Sequence, residues 1–286
     1  MSGSGVDDDE GELTRKQRRE QARAQRKALE ESEAASAKRR ARLTQLGIVA
    51  AIVVAIVVVI LIATGGGGSS KPVKSGTKVA HENVAVVDSL VGGIPQHGNT
   101  LGDPNAPVTL QYFGDLECSS CKEFTLGALP SIIQKWVRTG KVKIEYHSMS
   151  TATGNAEKDG SEPQEIFKTQ QVAAYAAGKQ NKAWNFIELF YHEQGEEGSG
   201  YVTESYLQNL AQQVPGLDLT TWTSDRSDPE LANEIESDKQ AANNAGFTGT
   251  PSFLIGKTGG TMGKLEYSSL TEPTGFDEAI EKLLHS

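Results

Sequence analysis

Hydrophobic and polar positions follow different rhythms along this chain, and each rhythm predicts a different kind of element. From Thr14 to Leu43 charged and amide residues mix with alanine, and few large apolar side chains recur, so a helix there would have no face to bury. Leu46 to Ala63 is then apolar throughout and carries no charge. As a helix this stretch would be about 27 Å long, which matches a bilayer core. Thr64-Gly-Gly-Gly-Gly-Ser-Ser-Lys-Pro72 has the composition of a flexible linker.

From about Val84 the pattern becomes that of a folded domain. Val108 to Phe113 and Val142 to His147 run apolar or alternate as short strands, and a helix predicted from Lys122 to about Arg138 joins them as a β-α-β unit. Pro163 to Ala245 turns helical: Phe167, Val172, Ala173 and Ala176 recur at helical spacing, and so do Trp184, Ile187, Leu189 and Phe190. Breaks fall at Gly195 to Gly200 and at Pro215-Gly216. After Gly246-Phe-Thr-Gly-Thr-Pro251, Ser252 to Ile255 predicts another strand and Phe276 to Leu284 a closing amphipathic helix. Proline is tolerated at the start of a strand, and an X-Pro bond is the one where a cis peptide is accessible.

Length and charge narrow the picture. The chain has 286 residues and a net charge of −9, and the poor core pattern of its first hundred residues leaves one folded domain. Nucleic-acid binding is disfavoured by that charge and by the lack of a binding motif. Lys38, Arg39, Arg40 and Arg42 crowd the N-terminal side of the apolar run, whereas Lys71, Lys74 and Lys78 are sparser beyond it. The N-terminus is therefore expected in the cytoplasm and the folded domain outside it, in the cell membrane as a single-pass protein. A cleaved signal peptide competes for the same segment, but its apolar core usually runs about 7 to 15 residues behind a short leader, and here about 45 residues come first. The expected organisation is a largely disordered charged tail over 1–45, a transmembrane anchor over 46–63, a linker over 64–83 and a domain over 84–286 with a helical insertion at about 160–245.

The candidate chemistry is sulfur chemistry. Cys118-Ser119-Ser120-Cys121 holds both cysteines of the chain, between a strand and a helix. Thiols at that spacing can close a disulfide in the first helical turn, where the unpaired N–H groups and the helix dipole favour the thiolate of Cys118. Cys118 is the expected nucleophile and Cys121 the less exposed resolving thiol. A structural zinc site would need four ligands, and only His81, His97, His147, His192 and His285 accompany the cysteines, widely scattered. A structural disulfide would close too small a loop to constrain the unfolded chain much. An extracytoplasmic domain agrees with redox use of the pair, because disulfides persist there.

Gly93-Ile-Pro-Gln-His-Gly-Asn-Thr-Leu-Gly-Asp-Pro-Asn-Ala-Pro-Val-Thr-Leu-Gln-Tyr-Phe-Gly-Asp-Leu-Glu-Cys-Ser-Ser-Cys121, followed by Gly249-Thr-Pro-Ser-Phe253, resembles the DsbA-like thiol:disulfide oxidoreductases of the thioredoxin superfamily, in their membrane-anchored, extracytoplasmic form. The resemblance covers roughly Val84 to Leu284. It implies an α/β thioredoxin-like fold with an inserted helical domain, here preceded by one transmembrane helix. It also implies nucleophile and resolving roles for Cys118 and Cys121, and a cis-proline turn at Thr250-Pro251 whose backbone pairs with an extended substrate strand. The redox-active disulfide would be the only cofactor, with no metal. The partners implied are thiols of exported or unfolded proteins and an integral-membrane oxidase that recharges the pair. The dipeptide Ser119-Ser120 departs from the family pattern, which often places proline and an aromatic or histidine there; without a cation the oxidising strength is open. Glu117 is expected to point to solvent.

Disulfide donation to exported proteins is the leading reading. A reductase or isomerase of the same fold is one alternative. A soft-metal module that holds Cu(I) on the two thiols, with His147 as a conceivable third ligand, is another.

Overall fold

The computed structural model describes residues 74–153 and 163–286. The tail, the expected anchor at Leu46 to Ala63 and the first half of the linker, 64–73, lie outside the described residues. Among the described residues no helix is long and apolar enough to cross a membrane.

Thr77 Oγ1 accepts the Ala80 N–H at 3.2 Å and caps α1 (Lys78–Val91). The last residues of the expected linker are thus already helical, because Ala80, Asn83, Val87, Leu90 and Val91 form one buried face. A short hairpin of β1 (Gln96–His97) and β2 (Thr100–Leu101) leads to β3 (Val108–Gly114). α2 (Ser119–Leu126) and α3 (Ala128–Ile132) follow, then one π-helical turn at Ile133–Val137 and β4 (Val142–Ser148). Next come α4 (Pro163–Lys179), α5 (Ala183–His192), α6 (Glu204–Gln213), α7 (Leu219–Asp225) and α8 (Pro229–Asn244). β5 (Ser252–Lys257), β6 (Gly263–Lys264) and α9 (Thr274–Leu284) close the chain.

The strands form one sheet in the order β1-β2-β4-β3-β5-β6. β3 pairs in parallel with β4 and antiparallel with β5, so the crossover and the returning hairpin meet on the central strand. Val108, Leu110, Tyr112 and Phe113 are all fully buried, as a central strand covered on both faces requires. α4 to α8 stand between β4 and β5, so the α/β architecture with a helical insert is present.

One helix is expected from Lys122 to Arg138, but the chain breaks it at Gly127. A Cβ there would meet Glu123 O at 2.6 Å and Thr271 Cα at 2.7 Å, and the next N–H, of Ala128, donates to Leu270 O at 3.0 Å. A distant loop therefore docks where only glycine leaves room. Pro130 falls in the first turn of α3, where its missing N–H loses no helical bond. Below α2 the aromatic rings interlock: Tyr112 lies 5.1 Å from Phe124 and 5.4 Å from Tyr146 edge-on, and Phe253 lies 4.7 Å from Phe124 and 5.0 Å from Phe276. Each such pair contributes about 0.5–1.5 kcal/mol beyond its area burial, which makes a rigid floor for the residues above it.

The insert is latched to the sheet by charge. Asp238 on α8 takes His147 Nδ1 at 2.7 Å and accepts the Ser148 N–H at 2.8 Å and the Ser148 hydroxyl at 2.9 Å, with Tyr175 donating to the same carboxylate. Burial opposes the charged form of His147, but the hydrogen bonds with Asp238 and Glu145 outweigh it and raise its pKa to about 9. Phe113 stacks on the ring at 4.9 Å. The Nδ1 of His147 is thus held in this latch. Among the described residues no three His, Cys, Asp or Glu side chains are grouped to hold a metal ion.

Candidate active site

β3 ends at Gly114, where a Cβ would press on the Tyr112 and Tyr146 rings at 3.0 Å, and the chain then turns through Asp115-Leu-Glu117 into α2. The turn is held from within. Asp115 Oδ1 accepts the Glu117 N–H at 3.1 Å and the Thr153 hydroxyl at 2.6 Å, while Oδ2 accepts the N–H groups of Thr151 at 2.8 Å and Thr153 at 3.0 Å. Burial pushes the Asp115 carboxyl up, and these four donors work against that rise. From the other side Gln194 Nε2 donates to Leu116 O at 2.7 Å and to Cys118 O at 3.1 Å.

Cys118 is the N-cap residue of α2, and Cys121 lies one turn further in. Both thiols are free in the structure, which is therefore the dithiol form. Their surroundings differ: Cys118 is 8% exposed and Cys121 is sealed at 0%. A hydrogen bond from the Cys121 thiol is the strongest influence on Cys118 and favours its thiolate. Burial opposes it, and Thr250 together with the N–H groups of Cys121 and Ser120 reinforces it, leaving the Cys118 pKa at about 6. Burial, and then Cys118 itself, push the Cys121 thiol well above its ordinary value. Burial pushes the hydroxyls of Tyr112, Tyr146 and Tyr191 well above their ordinary value, and Tyr112 donates to Tyr191 and Tyr191 to Asp115 O, each at 3.1 Å.

The second sequence signature arrives beside the first. The Thr250-Pro251 peptide is cis, and the Cys118 thiol donates to Thr250 O at 3.6 Å. Thr250 Oγ1 lies 2.6 Å from Thr151 Oγ1, and Tyr267 donates to Pro251 O at 2.9 Å. A cleft of about 480 Å³ runs along this turn, lined among others by Phe247, Thr250, Pro251, Glu266 and Tyr267. Cys118, Cys121, Thr250 and Pro251, far apart in sequence, thus converge, and Ser119 and Ser120 form the first turn of α2 between the thiols.

The family profile described as Thioredoxin matches residues 96–271, more than half of the chain. The chain belongs to the thioredoxin family. Among its relatives is "Probable disulfide bond formation protein D" of Bacillus anthracis, 22% identical over 184 residues that make up 64% of this chain and 78% of that protein. The crystal structure of oxidised BdbD from Bacillus subtilis superposes with a TM-score of 0.54 at 23% identity, covering 69% of this chain and 99% of that one. The crystal structure of α-DsbA1 from Wolbachia pipientis gives a TM-score of 0.52 at 22% identity, over 65% of this chain and 90% of that one. These likenesses show the thioredoxin-like fold with its helical insert.

Several residues around the thioredoxin-type turn depart from the sequence reading. Glu117 does not face solvent: it is 1% exposed, because its N–H is folded onto Asp115 and its carboxyl is drawn toward Thr153 and Gln170, with Gln170 Nε2 at 3.4 Å. Burial is the main cause that raises its pKa to about 7. Thr151, Thr153, Gln170 and Gln194 carry no motif. Their contacts cross 17 to 99 residues of chain, so spacing alone gives no signal for them.

Proposed function

We propose that this chain is a membrane-tethered, extracytoplasmic thiol:disulfide oxidoreductase that donates the Cys118–Cys121 disulfide to exported proteins. Its enzyme class is thiol:disulfide oxidoreductase, in keeping with relatives named for disulfide bond formation. The observation that carries the direction of flow is the asymmetry of the pair: a Cys118 thiol lowered to about 6 at the rim and a Cys121 thiol raised and sealed beneath it.

In the oxidised enzyme a substrate thiolate attacks Cys118 Sγ. A substrate–Cys118 disulfide forms, the Cys118–Cys121 bond breaks, and Cys121 leaves as the sulfur that takes up a proton. A second substrate thiolate then attacks the substrate sulfur of the mixed disulfide and expels Cys118, which leaves readily because its thiolate is stabilised. The substrate loses two electrons and the enzyme gains them. A raised Cys121 thiol is slow to return to the attack, so the mixed disulfide persists for the substrate to resolve. The Thr250 carbonyl beside Cys118 offers an extended substrate strand a backbone partner that does not read side chains.

The apolar run at Leu46 to Ala63, with its basic N-terminal flank, supports the tether and the extracytoplasmic placement. The resemblance to anchored DsbA-like proteins supports an integral-membrane oxidase as the partner that reoxidises the pair. Cys118→Ala is expected to abolish oxidation of a reduced, unfolded test protein, and full retained activity would overturn the proposal. Equilibration in glutathione buffers checks the direction: a potential well above thioredoxin's supports donation, and one at or below it moves the chain to the reductase side.

A further inference from the structure

A second anion stands at the end of the helix that supports the nucleophile. The N–H of Ser119, the first residue of α2, donates to Glu197 Oε2 at 3.1 Å. Glu197 is exposed and comes from the loop between α5 and α6, a segment tied to the redox turn at its base, where Lys122 Nζ donates to Gln194 O at 3.2 Å and Gln194 holds the carbonyls of Leu116 and Cys118. Cys118 makes no side-chain cap to the first turn, and its thiolate draws on the N–H groups of Ser120 and Cys121. The carboxylate and the thiolate therefore take different N–H groups of one helix end, Ser119 for Glu197 and Ser120 with Cys121 for Cys118, so both charges draw on the same end of the dipole. Neither Ser119 nor Ser120 supplies a cation to offset the repulsion.

We propose that Glu197 is a positioning residue for the redox reaction, an anionic brake that disfavours the Cys118 thiolate and holds the disulfide less oxidising than the helix end alone would make it. The inference rests on the reading of the pair as a thiol–disulfide exchange centre and adds what sets its driving force. The sign follows from linkage: a carboxylate near Cys118 raises the free energy of the reduced form, which carries the thiolate, and leaves the uncharged disulfide alone. Because Glu197 is exposed, the repulsion acts through water and is screened by salt.

The full chain is equilibrated in glutathione buffers as wild type, Glu197→Gln and Glu197→Asp, and free thiols are counted by alkylation; with both cysteines of the chain in one pair, the count reads one couple. Glu197→Gln keeps an oxygen acceptor and loses the charge. Its equilibrium constant for reduction by glutathione is expected to rise about three- to tenfold, or about 15 to 30 mV toward the oxidising side at about 30 mV per tenfold for a two-electron couple. The midpoint of thiolate absorbance is expected to move down in pH, and both differences shrink as salt rises from about 0.01 to about 1 M. Glu197→Asp, which keeps the charge, stays nearer the wild type. Unchanged potential and midpoint in Glu197→Gln would overturn the brake, as would a shift that salt does not alter. Should Glu197→Gln fold poorly, Glu197→Ser removes the charge at the same exposed position and is read in the same way, an unchanged potential overturning the brake. A wild-type potential at or below thioredoxin's, with the Glu197 difference intact, would instead sink disulfide donation and leave the brake standing.

Discussion

Glu117 sits directly before the proposed nucleophile and titrates, at about 7, within one pH unit of it. The rate of Cys118 alkylation in the wild type is therefore expected to change with pH in two overlapping steps, one near 6 and one near 7. Glu117→Gln is expected to leave a single step, read by stopped-flow reaction with a small neutral alkylating agent; a two-step profile that survives the substitution would remove Glu117 from the account. At this scale the sequence exposes what is encoded by spacing. Cys118 and Cys121 are legible from two intervening residues, and Thr250-Pro251 from a short motif seen beside them. Glu117 is not, because its direction depends on Asp115, Thr153 and Gln170, and the last of these is 53 residues away. Glu197 reaches Ser119 across 78 residues, and a glutamate in a glycine-rich loop looks the same whether it faces water or a helix end.

The elements were legible wherever periodicity is local, and less so where a partner from elsewhere cuts them. β3, β4, β5 and α9 appear close to their expected bounds, since apolar alternation or helical spacing already demands them. The break at Gly127 depends on the loop at Leu270 and Thr271, which no local pattern announces. The segment after β4 has a similar dependence: Thr151 and Thr153 bind Asp115, and Thr151 also meets Thr250, so one loop joins the redox turn to the cis-proline turn. Thr151→Val removes the hydroxyl bridge while keeping the shape. It is expected to raise KM for an extended peptide thiol by roughly fivefold, about 1 kcal/mol for one lost hydrogen bond, with a smaller change in kcat. Asp238→Asn strikes the latch between α8 and β4, leaving protonated His147 without its closest anion. A loss of about 3 to 5 kcal/mol is expected in urea unfolding, as for other buried pairs that lose one member.

Across the whole molecule, buried acids and His147 tilt stability toward acid pH, while His192, whose pKa burial and then Lys122 lower to about 4, opposes them between about pH 4 and 6.5. Glu188 is completely buried with neither carboxyl oxygen hydrogen-bonded, and desolvation raises its pKa to about 8. Glu117 at about 7 behaves alike, and each holds its proton in the folded state over a window in which the unfolded chain has released it, so stability falls from about pH 4.5 to pH 7 or 8. His147, raised to about 9, contributes stability that is full below about 6.5 and lost as pH rises through 9. Cys118, lowered to about 6, works the other way between about 6 and 9, but only while it is a free thiol. The melting temperature of the oxidised chain is therefore expected to fall from pH 5 to pH 8, more steeply than that of the reduced chain. Glu188→Gln should flatten the slope, and a melting temperature that rises over this range would contradict the assignment.

Cys121 has no surface of its own, and this fixes the order of events in any catalytic cycle. Whatever brings electrons and whatever takes them away must address the same sulfur of Cys118, so the two visitors use the site by turns and never together. Kinetics with both present should be ping-pong: double-reciprocal plots run parallel as the second reactant is varied, and each reactant in excess blocks the other competitively. Intersecting lines would mean a ternary complex, which one sulfur in one narrow mouth does not accommodate.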